Sequence, residues 1–284
     1  PLFKKRHPIY TTDKNNNVTV DQNSLFIIVL NEYVNKVGRD ILEKNNGAIK
    51  KIMDWNFKLD KDDDLLIEEP LYSNWADSIK KKGKVLYSNV CHIKALKSMV
   101  DLGFREYLPN YNKSKIRLNE LFWTGEHYMD WIDEDKHYNY FSTDGNMLAV
   151  LWDISDKTKS KHIEEASHIF DIHDIPSRCV HPNYPKDYSY LPLRIIGLGD
   201  YHNGLSWIWL GCINAMAKYK LGMIEEAKQL MHRIADLIEK YGKVYEIYDK
   251  SGKPVKRLIY RAENPFAWSA GMFVYAYSEI FGQS

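Results

Sequence analysis

The chain has 284 residues, 44% of them hydrophobic, enough to bury a large core in one sizeable domain or two small ones. Its 39 Lys and Arg residues against 38 Asp and Glu residues leave a formal charge of +1. This balance argues against nucleic acid or an anionic membrane as a partner. Cys91, Cys179 and Cys212 are widely spaced, so reduced thiols in a cytoplasmic protein are expected.

Apolar and amphipathic helices are predicted to alternate along the chain. An almost entirely apolar helix must be covered on all sides, whereas an amphipathic helix covers one side and faces water with the other. The alternation therefore predicts inner and outer helices joined in antiparallel pairs. Such pairs without a fixed repeat length favour an all-α toroid over a solenoid. The helices are predicted at residues 24–37, 40–57, 89–102, 113–128, 146–154, 158–170, 205–217, 224–241 and 265–281.

Polar and aromatic side chains precede most of the apolar helices. In a toroid, the loops that enter the inner helices gather at one end, so these side chains are expected to lie close together. Carboxylate and amide groups bind hydroxyls, and aromatic rings stack on the C–H faces of a sugar. The sequence thus favours a neutral polyhydroxylated ligand. No metal motif or nucleotide-binding glycine motif accompanies these loops.

Several of these segments carry a family resemblance. TVDQNSLFIIVL, NWADSI, STDGNMLAVL, YHNGLSWIWL and VYEIYD occur in this order. They resemble the (α/α)6-barrel glycoside hydrolases, among them mannosylglycerate hydrolase-like domains, glycogen-debranching amylo-α-1,6-glucosidases and neutral/alkaline invertases. The resemblance implies cofactor-free hydrolysis of an O-glycosidic bond in an α-glucoside, an α-1,6 branch or a related small sugar.

The resemblance also bears on domain organisation. It runs from Asp21 to Trp268, so residues 1–284 are expected to form one catalytic domain. Barrels of this group have twelve helices, and about nine are predicted here. We therefore expect the first helices of the barrel to lie upstream of Pro1, which would make the domain N-terminally incomplete.

Two carboxyl groups are the expected catalytic residues. An inverting glycosidase needs one protonated carboxyl for the leaving oxygen and one ionised carboxylate that takes a proton from water. The resemblance implies that Asp77 is the proton donor and Glu246 the general base. Alternatively, Asp77 could cap a turn or pair with Lys80, Lys81 or Lys82, and Glu246 could lie on the surface of a hairpin.

Further residues are expected to bind substrate. Asp21 precedes an apolar helix and by itself could serve as the acid, a helix cap or a sugar ligand; the family pattern implies hydroxyl binding. The same pattern implies that His202 and Asn203 bind hydroxyls and that Trp75 or Trp207 stacks on a sugar. No metal is expected, because the acidic residues 62–64 lack further ligand spacing and are interpreted as a solvated loop.

Two other functions remain open at this point. An N-acylglucosamine epimerase-like sugar isomerase uses the same barrel but is expected to rely on histidines at its mouth. A non-catalytic carbohydrate-binding protein would bind oligosaccharides without turnover. The predicted partner is in every case an oligosaccharide or small glycoside, with no nucleic acid and no membrane, and the sequence leaves the oligomeric state open.

Overall fold

The fold is described by a computed structural model that covers residues 19–172 and 176–282. The chain is mainly helical in these ranges, and its strands have only two or three residues each. The helices are α1 (Gln22–Val37), α2 (Asp40–Asn56), α3 (Leu86–Asp101), α4 (Leu108–Phe122), α5 (Thr143–Leu151), α6 (Lys157–Ile169), α7 (Leu191–Ile195), α8 (Ile208–Lys220), α9 (Ile224–Tyr241) and α10 (Ala267–Phe281). The strands are β1 (Lys84–Val85), β2 (Trp131–Asp133), β3 (Lys136–Tyr138), β4 (Phe141–Ser142) and β5 (Val180–His181).

The helices form an inner and an outer layer. In the inner layer, α3 packs on α1 and α5, and α8 packs on α5 and α10. The helices α2, α4, α6 and α9 each pack on the outside of an inner helix. Burial follows this arrangement, since α8 is buried over most of its length while α9 buries one face through Ala227, Leu230, Met231, Ile234 and Leu237. The predicted all-α toroid of antiparallel helix pairs is confirmed.

The two ends of the inner layer approach each other. The Lys36 ammonium group of α1 lies 5.6 Å from the centre of the Tyr275 ring in α10. Both helices nevertheless carry exposed apolar side chains, which are Phe26, Val29, Tyr33 and Val37 on α1 and Val274 and Tyr277 on α10. That the first helices of the barrel precede Pro1 stays a prediction.

Short strands tie the loops at the N-terminal end of the inner helices. Antiparallel pairing joins β1 to β2 and β2 to β3, and a second pair joins β4 to β5. Gly83, just before β1, has φ of +79°, and a Cβ there would lie 2.4 Å from the Ile132 carbonyl oxygen. Only glycine therefore allows this close pairing directly before α3. The loops held in this way carry the predicted site residues.

Helix boundaries differ from the predictions at both ends, most of all in the fourth helix. It starts at Leu108 rather than near residue 113, because Pro109 is accommodated in its first turn, and it ends at Phe122 rather than at residue 128. Asp21 occupies the cap position of α1, but its side chain makes no capping hydrogen bond. Capping, the ordinary role of Asp at such a position, is therefore not its role here. No helix of the described ranges is long and apolar enough to cross a membrane.

Candidate active site

Residues 74–78 form a loop at the N-terminal end of the inner helices. Asn74 Nδ2 donates a hydrogen bond to Glu69 Oε1 at 2.8 Å, and the Trp75 backbone N–H donates to Asp21 Oδ2 at 3.1 Å. Ser78 Oγ shares a hydrogen bond of 2.8 Å with His202 Nδ1. The Asp77 side chain within this anchored loop is 40% exposed. The Asp77 side chain is therefore partly accessible to solvent.

Two of the three lysines near Asp77 in sequence pair with other carboxylates. Lys81 Nζ lies 2.8 Å from Asp130 Oδ1 in a buried pair, and Lys82 Nζ lies 3.0 Å from Asp133 Oδ2 near the surface. Lys81 and Lys82 therefore form their ion pairs with carboxylates other than Asp77.

Glu246 lies in a buried position, with 8% of its surface exposed. Tyr201 and Tyr260 each donate a hydroxyl hydrogen bond to the carboxylate, one to Oε1 and the other to Oε2. Burial is the main cause that raises the pKa of both tyrosines well above the usual value, and the bonds to Glu246 are the second. Both hydroxyls therefore keep the proton that they donate. Glu246 is therefore a fixed, enclosed carboxylate rather than a residue on the surface of a hairpin.

Tyr201 connects the two predicted catalytic residues. Burial is the main cause that raises the pKa of Tyr201, and the nearby Glu246 and Asp77 carboxylates raise it further. The next residue, His202, places Nδ1 4.0 Å from Asp77 Oδ1. Asp77 and Glu246, which are far apart in sequence, thus lie around the same Tyr-His pair. Tyr201 and Tyr260 were missed by sequence reasoning, although Tyr201 is part of the YHNG segment.

The predicted sugar-binding residues occupy different environments. Trp207 is only 2% exposed, and its ring stacks on His202 with centroids 5.2 Å apart. Asn203 uses its side-chain amide to bind the backbone N–H and carbonyl of Tyr184, at 2.7 and 3.0 Å. Trp75 is half-buried. Sugar binding by these residues stays a prediction, and the surface favours Trp75 over Trp207 as the stacking ring.

Asp21 is buried beneath the same loop. Burial raises its pKa to about 6, although the hydrogen bond from the Trp75 backbone opposes the shift. The carboxyl group therefore faces the loop that carries Asp77. Its proposed contact with a sugar, and the question whether it rather than Asp77 gives the proton, stay predictions.

Three acidic side chains lie together outside this site. Carboxylate oxygens of Asp60, Asp62 and Asp64 are within 4.8 Å of one another. Asp60 accepts hydrogen bonds from the backbone of residues 64 and 65, and Lys84 donates to both Asp62 and Asp64. Backbone N–H groups and the Lys84 ammonium group thus already hydrogen-bond the carboxylates of this cluster.

Glu69 makes the stability of the fold depend on pH. Burial raises its pKa from 4.5 to about 8, against the opposing hydrogen bonds from Ser88 and Asn74. The folded protein therefore holds this proton up to about pH 8, whereas the unfolded chain releases it near pH 4.5. Because the native state then binds more protons, the free energy of unfolding falls as the pH rises through this window.

Glu69→Gln is expected to remove much of this pH dependence. Gln can accept from Asn74 and donate to the Ser88 hydroxyl, so the neutral pairing is kept. Between pH 5 and pH 8 the variant should lose less stability than the wild type, by an amount on the order of a few kcal/mol. Thermal unfolding followed by circular dichroism measures the difference. Glu68→Gln, at a neighbouring and more exposed carboxylate, should keep the wild-type slope, and an equal slope in all three proteins would contradict the prediction.

Known proteins resemble this chain in structure rather than in sequence. No protein-family profile matches the chain, and no curated protein matches it. Solved structures do match: GH63 mannosylglycerate hydrolase from Thermus thermophilus, in complex with Tris and D-glycerate, has a TM-score of 0.73 at 12% identity over 96% of this chain and 82% of that chain. A rhamnosidase from Klebsiella oxytoca with rhamnose bound gives 0.67 at 13% identity, over 94% of this chain and 48% of that chain.

A third similar structure is an α-amylase from Clostridium perfringens. Its TM-score is 0.59 at 14% identity, over 94% of this chain and 74% of that chain. At such identities the similarity concerns the fold. The chain has the helical toroid of the (α/α)6 glycoside hydrolases, as the sequence resemblance implied.

Proposed function

We propose that the chain is an inverting glycoside hydrolase, with Asp77 as proton donor and Glu246 as general base. The observation that carries the proposal is that Glu246 accepts a hydrogen bond from Tyr201, while Asp77 lies 4.0 Å from His202, whose ring packs against Tyr201 with centroids 4.5 Å apart. The Asp77 carboxyl group is partly accessible, whereas the Glu246 carboxyl group is held by two tyrosine hydroxyls. This difference suits an acid that meets the leaving group and a base that must stay oriented.

In the proposed reaction, Asp77 gives its proton to the glycosidic oxygen as the C1–O bond breaks. Glu246 takes a proton from a water molecule whose oxygen forms the new bond to C1 from the opposite side of the ring. Inversion requires room for that water, with the carboxyl groups about 6.5–9.5 Å apart. Trp75 supplies the stacking ring, and Asp21 and His202 bind hydroxyl groups.

The proposed substrate is an α-glucoside, an α-1,6 branch or a related small sugar. Support comes from the matched structures, which include a mannosylglycerate hydrolase in complex with glucose and a glycosidase variant in complex with glucose. We favour a mannosylglycerate hydrolase-like or debranching activity. The hydrogen-bonding and aromatic groups around Asp77 and Glu246 suit the hydroxyls and ring faces of either substrate.

Proton NMR of a hydrolysis reaction tests the mechanism. The protein is incubated with isomaltose, panose, sucrose and the α-glycosides of glycerate, and the first anomer released is observed before mutarotation. An α-linked substrate should release the β-anomer first. Initial release of the α-anomer would overturn the inverting mechanism, whereas epimerisation of free monosaccharides, or binding without any turnover, would overturn the hydrolase proposal.

Tyr201→Phe tests the orientation of the proposed base. The variant keeps the ring that packs against His202 and Trp207 but removes the hydrogen bond to Glu246. A hydrogen bond to a charged group contributes about 1.5–3 kcal/mol, so kcat should fall about 10- to 100-fold while KM changes little. Steady-state kinetics on the best substrate measure both constants.

Tyr107→Phe is the matched control for this variant. The Tyr107 hydroxyl donates to Asp54 Oδ1 at 2.7 Å, a bond of the same kind that joins α2 to the chain between α3 and α4. Its loss should lower stability slightly and leave kcat unchanged. Equal effects of the two variants on kcat would show that Tyr201 does not orient the base.

A further inference from the structure

Trp75 is the side chain on which the inner helices converge. Its ring lies 6.3 Å from Tyr87 in α3, 4.5 Å from Trp209 in α8 and 6.0 Å from Trp268 in α10, measured between ring centroids. Asp21 before α1 accepts its backbone N–H, and Asp144 in the first turn of α5 accepts its indole N–H. Trp75 thus contacts a residue in each of α3, α5, α8 and α10 and the residue that precedes α1.

Both carboxylate oxygens of Asp144 accept a hydrogen bond. Trp75 Nε1 lies 2.5 Å from Asp144 Oδ2, and the other carboxylate oxygen accepts the Gly145 backbone N–H at 2.7 Å. A Cβ at Gly145 would lie 2.6 Å from Leu86 side-chain atoms. Glycine therefore lets the first turn of α5 approach α3 closely enough to place the Asp144 carboxylate against Trp75.

Asp144 is buried among these groups, with 2% of its surface exposed. Burial raises its pKa, and the positive charge of Lys81 opposes this shift. Its two carboxylate oxygens accept from the Trp75 indole N–H and from the Gly145 backbone N–H. The hydrogen bond to Trp75 is the contact that leads from Asp144 to loop 74–78.

We infer that Asp144 is a positioning residue: by holding the Trp75 indole N–H, it fixes loop 74–78 and so places Asp77 for proton transfer. The inference rests on the proposed hydrolase function. Asn74 and Ser78 anchor the two ends of this loop to Glu69 and His202, and the indole bond holds its middle. Proton transfer is sensitive to small displacements of the donor, which makes the middle anchor important.

Three variants separate this role from a general structural one. Asp144→Asn keeps an oxygen that can accept the indole N–H, Asp144→Leu has a similar branched shape but no acceptor, and Trp75→Phe keeps a ring but no donor. Asp144→Leu should lower kcat about 10- to 100-fold with KM within about threefold, as expected for loss of a charge-assisted hydrogen bond. Asp144→Asn should recover at least half of that loss on a logarithmic scale.

The double variant Asp144→Leu with Trp75→Phe gives the sharpest result. If Asp144 acts through this hydrogen bond, Asp144→Leu should lower kcat much less in the Trp75→Phe background than in the wild type, because Phe leaves no bond for it to remove. Losses that multiply, or an Asp144→Asn variant as slow as Asp144→Leu, would overturn the inference. Glu164→Leu is the control, because it removes another buried carboxylate, paired with Lys218 near the C-terminal end of α8, and should lower stability while leaving kcat unchanged.

Hydrogen–deuterium exchange tests the inference without any substrate. Backbone amides of residues 75–78 should exchange faster in Asp144→Leu and Trp75→Phe than in the wild type, and at nearly the wild-type rate in Asp144→Asn. Unchanged exchange in Asp144→Leu would overturn the inference by itself. Wild-type protein and Asp77→Asn are assayed in parallel, so that failure of the hydrolase proposal is seen as absent wild-type turnover or as full activity of Asp77→Asn.

Discussion

Glu246→Gln is expected to lower kcat about 10²- to 10⁴-fold, the range typical of general base catalysis. Gln keeps the shape of the side chain and can still accept a hydrogen bond, but it cannot take a proton from water. The Tyr201 and Tyr260 hydroxyls that hold the carboxylate have oxygen atoms that can accept from the new amide. The fold should therefore survive, with a melting temperature close to that of the wild type.

Asp77→Asn should show a different dependence on the leaving group. A proton donor is needed for an alcohol leaving group but hardly for fluoride or dinitrophenolate, which leave as stable anions. The loss should therefore be large on a disaccharide and much smaller on the corresponding glycosyl fluoride. Glu246→Gln should be slow on both substrates, because the attacking water needs a base in either case.

Two controls make this pair of results decisive. Glu263→Gln changes the exposed side chain of a residue that lies next to Glu246, since the Glu263 backbone carbonyl accepts a hydrogen bond from the Glu246 N–H. This variant should leave kcat unchanged. Asp21→Asn on the same two substrates decides between the two candidate donors. If Asp21→Asn shows the leaving-group dependence and Asp77→Asn does not, Asp21 is the proton donor. Near-normal activity of Glu246→Gln on the disaccharide would remove Glu246 from the mechanism.

The toroid was predictable from sequence because its layers follow from hydrophobic patterning. The apolar segment at residues 205–217 predicted an inner helix, and α8 is buried over most of its length. The spacing of apolar residues at 224–241 predicted an outer helix, and α9 buries one face. Such patterns are local, since each helix carries in its own residues the reason for its layer.

The hydrogen bonds of the site were not predictable in the same way. Tyr201 and Glu246 are 45 residues apart, and Trp75 and Asp144 are 69 residues apart. No periodicity relates residues at such separations, so the pairing depends on how the helices pack. The burial of Trp207 is a similar case, because its position before an inner helix gave no indication whether the ring would face the ligand or the core.

A buried ion pair beneath the loop gives the largest expected effect on stability. Lys81 Nζ lies 2.8 Å from Asp130 Oδ1, and both side chains are almost completely buried. The Tyr184 hydroxyl donates to the second oxygen of Asp130 at 2.5 Å. Burial lowers the pKa of Lys81, but the charges of Asp130 and Asp144 outweigh it and leave the pKa above its ordinary value. Lys81 thus pairs directly with Asp130, and its charge also acts on the nearby Asp144.

Lys81→Met is expected to lower the free energy of unfolding by about 3–5 kcal/mol, because it leaves Asp130 and Asp144 without their cation in a buried region. For a chain of this size the loss corresponds to roughly 5–8 °C in melting temperature. Lys82→Met is the matched control, since the neighbouring lysine pairs with Asp133 near the surface and such pairs contribute about 0–1 kcal/mol.

Combining Lys81→Met with Asp130→Asn distinguishes charge from packing. Asn carries no charge and still offers an oxygen to the Tyr184 hydroxyl, so the double variant should be more stable than Lys81→Met alone. Such a gain would show that the uncompensated carboxylate, rather than the lost contacts of the lysine side chain with the Trp131 and Tyr184 rings, causes most of the loss. Simple addition of the two single effects would instead assign the loss to packing and contradict the electrostatic explanation.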